Sequence, residues 1–142
     1  MFNYCSSLYN FNDYMSQEVR DKTLVSLVGG YHMFAGCAFY SWSVDLPSLT
    51  GAEAMFHNNH NLVSFDADLS NLQMANSMSS AGSIYLGMFY GCTNLTHFRG
   101  NLVSLLDGHG MFSGCSLDAA SIEHIANTIN NLGENTDWVV KT

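Results

Sequence analysis

The dipeptide Met-Phe recurs along this chain at intervals too regular to be accidental. It occurs five times, with spacings of 32, 22, 33 and 23 residues, so that long and short units alternate. The units begin at Met1, Met33, Met55, Met88 and Met111. A repeat of this size cannot bury its own apolar face, and it becomes stable only when neighbouring repeats stack on it. The sequence therefore predicts one domain of stacked repeats over residues 1–142.

Other positions keep the same period. If each Met is position 1 of its repeat, position 5 holds every cysteine of the chain and one asparagine: Cys5, Cys37, Asn59, Cys92 and Cys115. We interpret this set as a structural ladder, because a free cysteine packs as a small buried apolar residue. Apolar and aromatic residues then recur in four segments bounded by Asn, Asp or Gly, which predicts short parallel strands. These segments are Leu8–Asp13, Phe39–Asp45, Leu62–Asp68 and Leu95–Gly100.

The two ends of the repeat array differ. After the last repeat, Ile122, Ile125, Ile129 and Leu132 recur at helical spacing, which predicts a capping helix over about 118–132 that begins at Asp118 or Ser121. At the other end the repeat pattern starts at once, so we expect Phe2 and Leu8 to be exposed unless a preceding domain or another subunit covers them.

Three shorter segments carry weaker structural signals. The long units contain inserts with small apolar runs, Leu24–Val28 and Ile84–Leu86, which predict irregular strands. Beyond the helix, Asp137–Lys141 predicts a final strand.

The pattern Met-Phe-x-Gly-Cys-x-x-Leu-x-x-Phe resembles the BspA-like leucine-rich repeats of bacterial surface proteins. The clearest copies are residues 88–98 and 111–115, and the resemblance covers residues 1 to about 117. In the third copy Asn58 and Asn59 replace Gly-Cys. Met-Phe repeats with a helical tail are also similar to proteins of gut bacteria and their phages. The resemblance implies an α/β repeat solenoid, an irregular leucine-rich repeat with short parallel strands and a C-terminal capping helix. It also implies adhesion to host proteins or glycans.

Charge and hydropathy exclude several classes of partner. The formal net charge is −8, with four Lys and Arg residues that form no cluster, so the chain is not expected to bind nucleic acid or anionic membrane surfaces. No apolar run approaches the ~20 residues of a membrane-spanning helix, and the N-terminus does not read as a signal peptide. We expect no membrane insertion.

Catalytic and metal-binding motifs are not evident in the sequence. No Cys-x-x-Cys pair occurs, nor a Gly-x-Ser-x-Gly elbow or a phosphate-binding loop, so we predict a non-enzymatic protein without metal or cofactor. His57 and His60 are the one local pair of possible ligands, and they can also be a plain surface turn.

The predicted binding residues lie on the strands. With Phe11, Trp42, Phe65 and Phe98 pointing inward, their sequence neighbours point outward, because side chains alternate along a strand. The outward set is Asn10, Asn12, Ser41, Ser43, Ser64, Asp66, His97 and Arg99. This small polar set suits glycan hydroxyls or a polar protein surface, and a simply solvated sheet face is the alternative.

Three functions remain open at this point. The first is a non-enzymatic recognition or adhesion module, carried on a bacterial surface or a phage particle, that binds a protein or a glycan. The second is a structural component of a virion or appendage that docks, or forms a homo-oligomer, through its N-terminal face. The third is an acidic intracellular inhibitor of a basic partner, which the dispersed carboxylates favour less.

Overall fold

The computed structural model describes residues 2–9, 16–18, 24–76 and 87–129. In chain order its regular elements are β1 (Ser41–Trp42), β2 (Ser64–Phe65), β3 (His97–Phe98) and α1 (Ala119–Thr128). The strands form one parallel sheet in the order β1-β2-β3. The register places Ser41, Ser64 and His97 in one line and Trp42, Phe65 and Phe98 in the next.

Equivalent positions of successive repeats are hydrogen-bonded outside the sheet as well. In the first four repeats the backbone N–H of position 2 donates to the carbonyl of the next repeat's Met, as in the Phe34–Met55, Phe56–Met88 and Phe89–Met111 bonds, each 2.9 Å long. A third line of parallel backbone pairings joins Gly29, Gly51, Met74 and Asp107. Each repeat therefore lies beside the next in the same orientation.

Position 4 of every repeat adopts the left-handed backbone conformation. Its φ angles are 56° at Tyr4, 67° at Gly36, 57° at Asn58, 74° at Gly91 and 81° at Gly114. Glycine adopts this conformation without strain, and asparagine tolerates it better than most residues. This requirement gives the physical reason for the Gly of the motif and for its replacement by Asn58 in the third copy.

The centre of the stack is a column of five phenylalanines from position 2. Consecutive rings stack with centroids 5.5 to 5.6 Å apart and interplanar angles between 6° and 27°, in the order Phe2, Phe34, Phe56, Phe89 and Phe112. Rings at such distances and offsets attract one another beyond the area they bury. The column therefore links five repeats through one kind of contact.

The inward residues of the sheet pack against this column edge to face. Each one meets the phenylalanine of the following repeat at a centroid distance of 4.9 Å and an interplanar angle of 70° to 75°. The pairs are Trp42–Phe56, Phe65–Phe89 and Phe98–Phe112. This geometry fixes the offset between the sheet and the column, and so the register of one repeat on the next.

The strands are much shorter than the sequence predicts. Each has two residues rather than six or seven. The physical reason is the spacing of the buried residues: Phe39 and Trp42, like Leu62 and Phe65, are three apart and both buried. An extended strand alternates with period two, so it cannot keep both members of such a pair on one face.

The insert predicted as an irregular strand at Leu24–Val28 is another correction. Residues 24–26 form a turn that buries Leu24, and backbone pairing begins only near Val28 and Gly29. The strands predicted at Ile84–Leu86 and Asp137–Lys141, and residues 10–13 of the first predicted strand, lie outside the described residues.

Helix α1 lies within the predicted range of 118–132, and Asp118 is its N-cap, with its side chain accepting a hydrogen bond from the Ser121 N–H. Ile125 and Ile129 are buried, but Ile122 is 42% exposed, so the predicted inward position of Ile122 was wrong. Ser121 is buried in its place, because its hydroxyl bonds to the backbone around β3. Within the described ranges, no helix is long and apolar enough to cross a bilayer.

The left-handed position 4 generates a stability prediction. We expect Gly91→Ala to lower the free energy of unfolding by about 2 kcal/mol or more, because Gly91 has a φ of 74° and its new Cβ would meet the Asn58 side chain. Denaturant melts of the two proteins measure the difference.

Gly29→Ala is the matched control, since nothing lies within 4 Å of its Cβ position. Equal loss of stability in the two variants would contradict the backbone explanation.

Candidate functional site

The candidate site is the outward face of the parallel sheet, and its first row is Ser41, Ser64 and His97. These residues are in direct register across β1, β2 and β3, about 4.8 Å apart from strand to strand. Their sheet neighbours Trp42, Phe65 and Phe98 point into the core. The aromatic packing beneath therefore holds three polar side chains in a straight row on the surface.

The second row follows the strands directly and contains Ser43, Asp66 and Arg99. Backbone bonds of 2.9 Å from the Asp66 N–H to the Trp42 carbonyl and from the Arg99 N–H to the Phe65 carbonyl keep this row aligned. Ser43 and Asp66 are exposed, and Arg99 is half-buried. Within the described ranges no protein hydrogen bond involves the side chains of Ser41, Ser43, Ser64 or Asp66, which leaves them for solvent or a ligand.

A third row borders the face and was not among the predicted binding residues. It runs through Tyr9, Tyr40 and Val63, joined by backbone bonds from the Tyr40 N–H to the Tyr9 carbonyl (3.4 Å) and from the Val63 N–H to the Tyr40 carbonyl (2.9 Å). The two tyrosine rings have centroids 6.3 Å apart, and they are 49% and 59% exposed. In the sequence, each member directly precedes a predicted binding residue: Asn10, Ser41 or Ser64. The shared repeat position was the signal available for this row.

Helix α1 covers the β3 edge of the sheet through Ser121. The Ser121 hydroxyl accepts a hydrogen bond from the Phe98 N–H (2.9 Å) and donates one to the Thr96 carbonyl (3.2 Å). The Asp118 N–H also donates to the Thr96 carbonyl, at 2.8 Å. One side chain thus supplies part of the pairing that another strand would supply, which protects an otherwise open edge.

Two groups of opposite charge, Arg99 and Asp118, lie at this covered edge. The guanidinium of Arg99 donates from Nη1 to the Phe98 carbonyl at 2.8 Å and to the Ser121 hydroxyl at 3.1 Å. Hydrogen bonds from Ser121 hold the pKa of Asp118 below its ordinary value, and the charges of Arg99 and His97 act in the same direction. Asp118 is therefore a carboxylate at neutral pH, beside the end of both polar rows.

The predicted ladder at position 5 forms a line of side chain to backbone hydrogen bonds. The thiols of Cys37, Cys92 and Cys115 donate to the carbonyl of position 2 in the preceding repeat, at 2.9, 3.1 and 3.3 Å. Asn59 donates through Nδ2 to the Phe34 carbonyl of the preceding repeat (2.8 Å) and to the Phe56 carbonyl of its own repeat (2.9 Å). Burial raises the pKa of Cys115 to about 12, and that of Cys92 well above its ordinary value. These groups are thiols, not thiolates, at neutral pH.

The histidine pair at His57 and His60 is divided between two environments. His60 is exposed, whereas His57 is half-buried between the rings of His32 (centroids 6.2 Å apart) and Tyr90 (5.3 Å). Burial lowers the pKa of His57, and the neighbouring histidines lower it further. In the part of the chain that the structure describes, no three His, Cys, Asp or Glu side chains converge in a way that could hold a metal ion.

The structure thus brings together six of the eight predicted binding residues: Ser41, Ser43, Ser64, Asp66, His97 and Arg99. The other two, Asn10 and Asn12, lie outside the described residues. Comparisons of the chain with protein-family models, with curated proteins and with solved structures found no match.

The contacts of Ser121 generate a second stability prediction. We expect Ser121→Ala to lower the free energy of unfolding by about 1–3 kcal/mol, because the buried Phe98 N–H loses its acceptor. Thermal and denaturant melts measure the loss.

Ser116→Ala is the control, since it removes an exposed hydroxyl that donates to the Thr93 carbonyl in the same region. If both variants melt like the parent protein, Ser121 does not hold the helix on the sheet.

Proposed function

We propose that this chain is a BspA-like leucine-rich-repeat solenoid that acts as a non-enzymatic recognition module. It binds a protein or a glycan through the sheet face and serves on a bacterial cell surface or a phage particle. The observation that carries the proposal is the pair of in-register polar rows, Ser41-Ser64-His97 and Ser43-Asp66-Arg99, held over a rigid aromatic core.

The chemistry of the face fits recognition by many small polar contacts. Hydroxyls donate and accept hydrogen bonds, Asp66 accepts them, and Arg99 donates them in a fixed direction. The exposed Tyr9 and Tyr40 at the border add large amphipathic surfaces, and tyrosine is enriched where proteins bind partners. Because the rows stand on stacked repeats, little conformational entropy is lost when a ligand docks.

The charge of the whole chain restricts the partner. With a net charge of −8, a neutral glycan or a neutral to basic protein surface is favoured, and polyanions are repelled.

We expect the protein to bind at least one member of an array of immobilised glycans or of a panel of immobilised extracellular-matrix proteins. Ser64→Trp places a large ring at the centre of the first row and should weaken that binding about tenfold or more, since the polar rows can no longer approach the ligand. Surface plasmon resonance against the identified glycan or protein measures the change.

Asn127→Trp on the exposed side of α1 is the matched control, and its binding should equal that of the parent. Absence of binding across both panels, or equal weakening by the two variants, would contradict recognition through the sheet face.

A structural role in a larger assembly is the second candidate, and one feature favours it. An open groove of about 500 Å³ lies at the first repeat, lined by Phe2, Tyr4, Cys5, Ser6, Ser7 and Leu8. Phe2 is half-buried and Tyr4 is exposed, but Leu8 is only 7% exposed, so the expectation of an open Leu8 was wrong. The Leu8 side chain packs into the apolar core cluster. Its carbonyl accepts a hydrogen bond from the Ala38 N–H, which ties the first repeat to the second.

Solution mass from light scattering at several concentrations separates the two candidates. An assembly through the first repeat predicts a mass above that of the monomer, and Phe2→Ser should return it to the monomer, because it removes an apolar ring from the groove. A monomer at all concentrations would contradict self-assembly and leave the recognition function standing.

A further inference from the structure

The first two repeats bring two cysteines to one backbone oxygen. The Phe2 carbonyl accepts a hydrogen bond from the Cys5 N–H at 3.2 Å and another from the Cys37 thiol at 2.9 Å. The two side chains occupy the same repeat position in neighbouring layers, and Cys5 is among the groups that influence the pKa of Cys37. Neighbouring layers of a parallel stack are about 4.8 Å apart, which lies within the Cα separations that a disulfide spans.

The two thiols differ in access to solvent. Cys5 is partly exposed and lines the open groove of about 500 Å³ at the first repeat, together with Ser6 and Ser7. Cys37, at the same position of the next layer, is buried. A small dissolved reagent can therefore reach the sulfur of Cys5 but not that of Cys37. This is the arrangement of an attacking thiol with a resolving thiol beside it.

We propose that Cys5 and Cys37 are a redox pair that a small disulfide oxidant converts into a disulfide bond between the first two repeats. The Cys5 thiolate attacks one sulfur of the oxidant, the S–S bond of the oxidant breaks, and one reduced thiol leaves. The Cys37 thiolate then attacks the Cys5 sulfur of this mixed disulfide, and the second half of the oxidant leaves as a thiol. Two protein thiols are oxidised, and one small disulfide is reduced to two thiols.

Asn59 gives the pair its selectivity. It occupies position 5 of the third repeat, so it separates Cys37 from Cys92 by one full layer and prevents a link between them. The remaining neighbours are Cys92, which is completely buried, and Cys115, which is partly exposed. Burial raises the pKa of Cys115 to about 12, so its thiol is the slower one to attack an oxidant. The thiols of Cys92 and Cys115 donate to the Phe56 and Phe89 carbonyls inside the stack. Under native conditions the oxidant therefore links Cys5 to Cys37 and leaves the other two cysteines reduced.

Burial also sets the rate of the second step. It is the main reason that the pKa of Cys37 is raised to about 11. Because the thiolate is the nucleophile, closure of the disulfide accelerates as the pH rises toward that value.

The test treats the native, reduced chain of residues 1–142 with oxidised glutathione at about pH 8.5, near the ordinary pKa of a thiol. Intact mass and non-reducing peptide mapping after pepsin digestion follow the products. We expect the loss of two hydrogen masses and a single linked peptide pair that contains Cys5 and Cys37, with Cys92 and Cys115 still alkylated by iodoacetamide. Cys115→Ser should give the same link.

Cys37→Ser is the decisive variant, because it should stop at a stable glutathione adduct on Cys5. Three results would overturn the proposal: no reaction of the parent chain, a persistent glutathione adduct on parent Cys5, or a link that involves Cys92 or Cys115. The same reaction in denaturant provides the reference for random pairing of four accessible thiols.

Discussion

The stacking of one phenylalanine ring on the next is the interaction on which the rest of the structure depends. Five rings from Phe2 to Phe112 repeat at about 5.5 Å, and the sheet residues pack against them edge to face. A single repeat has no partner for these faces, so no repeat can fold alone. The distance between successive rings is close to the distance between hydrogen-bonded strands. Ring stacking and backbone hydrogen bonds can therefore form together along the whole described stack.

Two positions of the motif convert this side-chain column into a continuous backbone ladder. Position 4 turns the chain through the left-handed region, which is why Gly36, Gly91 and Gly114 stand there and Asn58 can replace them. Position 5 then donates to the carbonyl that the turn leaves inside the stack, through a thiol or, at Asn59, through an amide. Each of these carbonyls also accepts the position 5 N–H of its own repeat, at 3.0 to 3.4 Å, so the ladder side chain is a second donor that ties one layer to the next.

The proposed binding face is a consequence of the same packing. Inward aromatic side chains fix the outward direction of their neighbours, and the register of the sheet aligns Ser41 with Ser64 and His97. Helix α1 then ends the sheet at β3, where Ser121 bonds to backbone groups and Arg99 is held beside Asp118. The outward rows contribute little to the core, which leaves their chemistry free to vary with the partner.

The sequence by itself determined the repeat period, the residues of the ring column, the ladder positions and the six described members of the outward set, because each depends on a period that can be counted. Only the tertiary structure decided the length of the strands, the burial of Ser121 in place of Ile122, the burial of Leu8, and the tyrosine row beside the predicted face. These features depend on contacts between layers: which carbonyl needs a donor, and which ring meets which neighbour. A periodic pattern states what recurs along the chain, whereas burial is set by the residues that lie across from it in the next repeat.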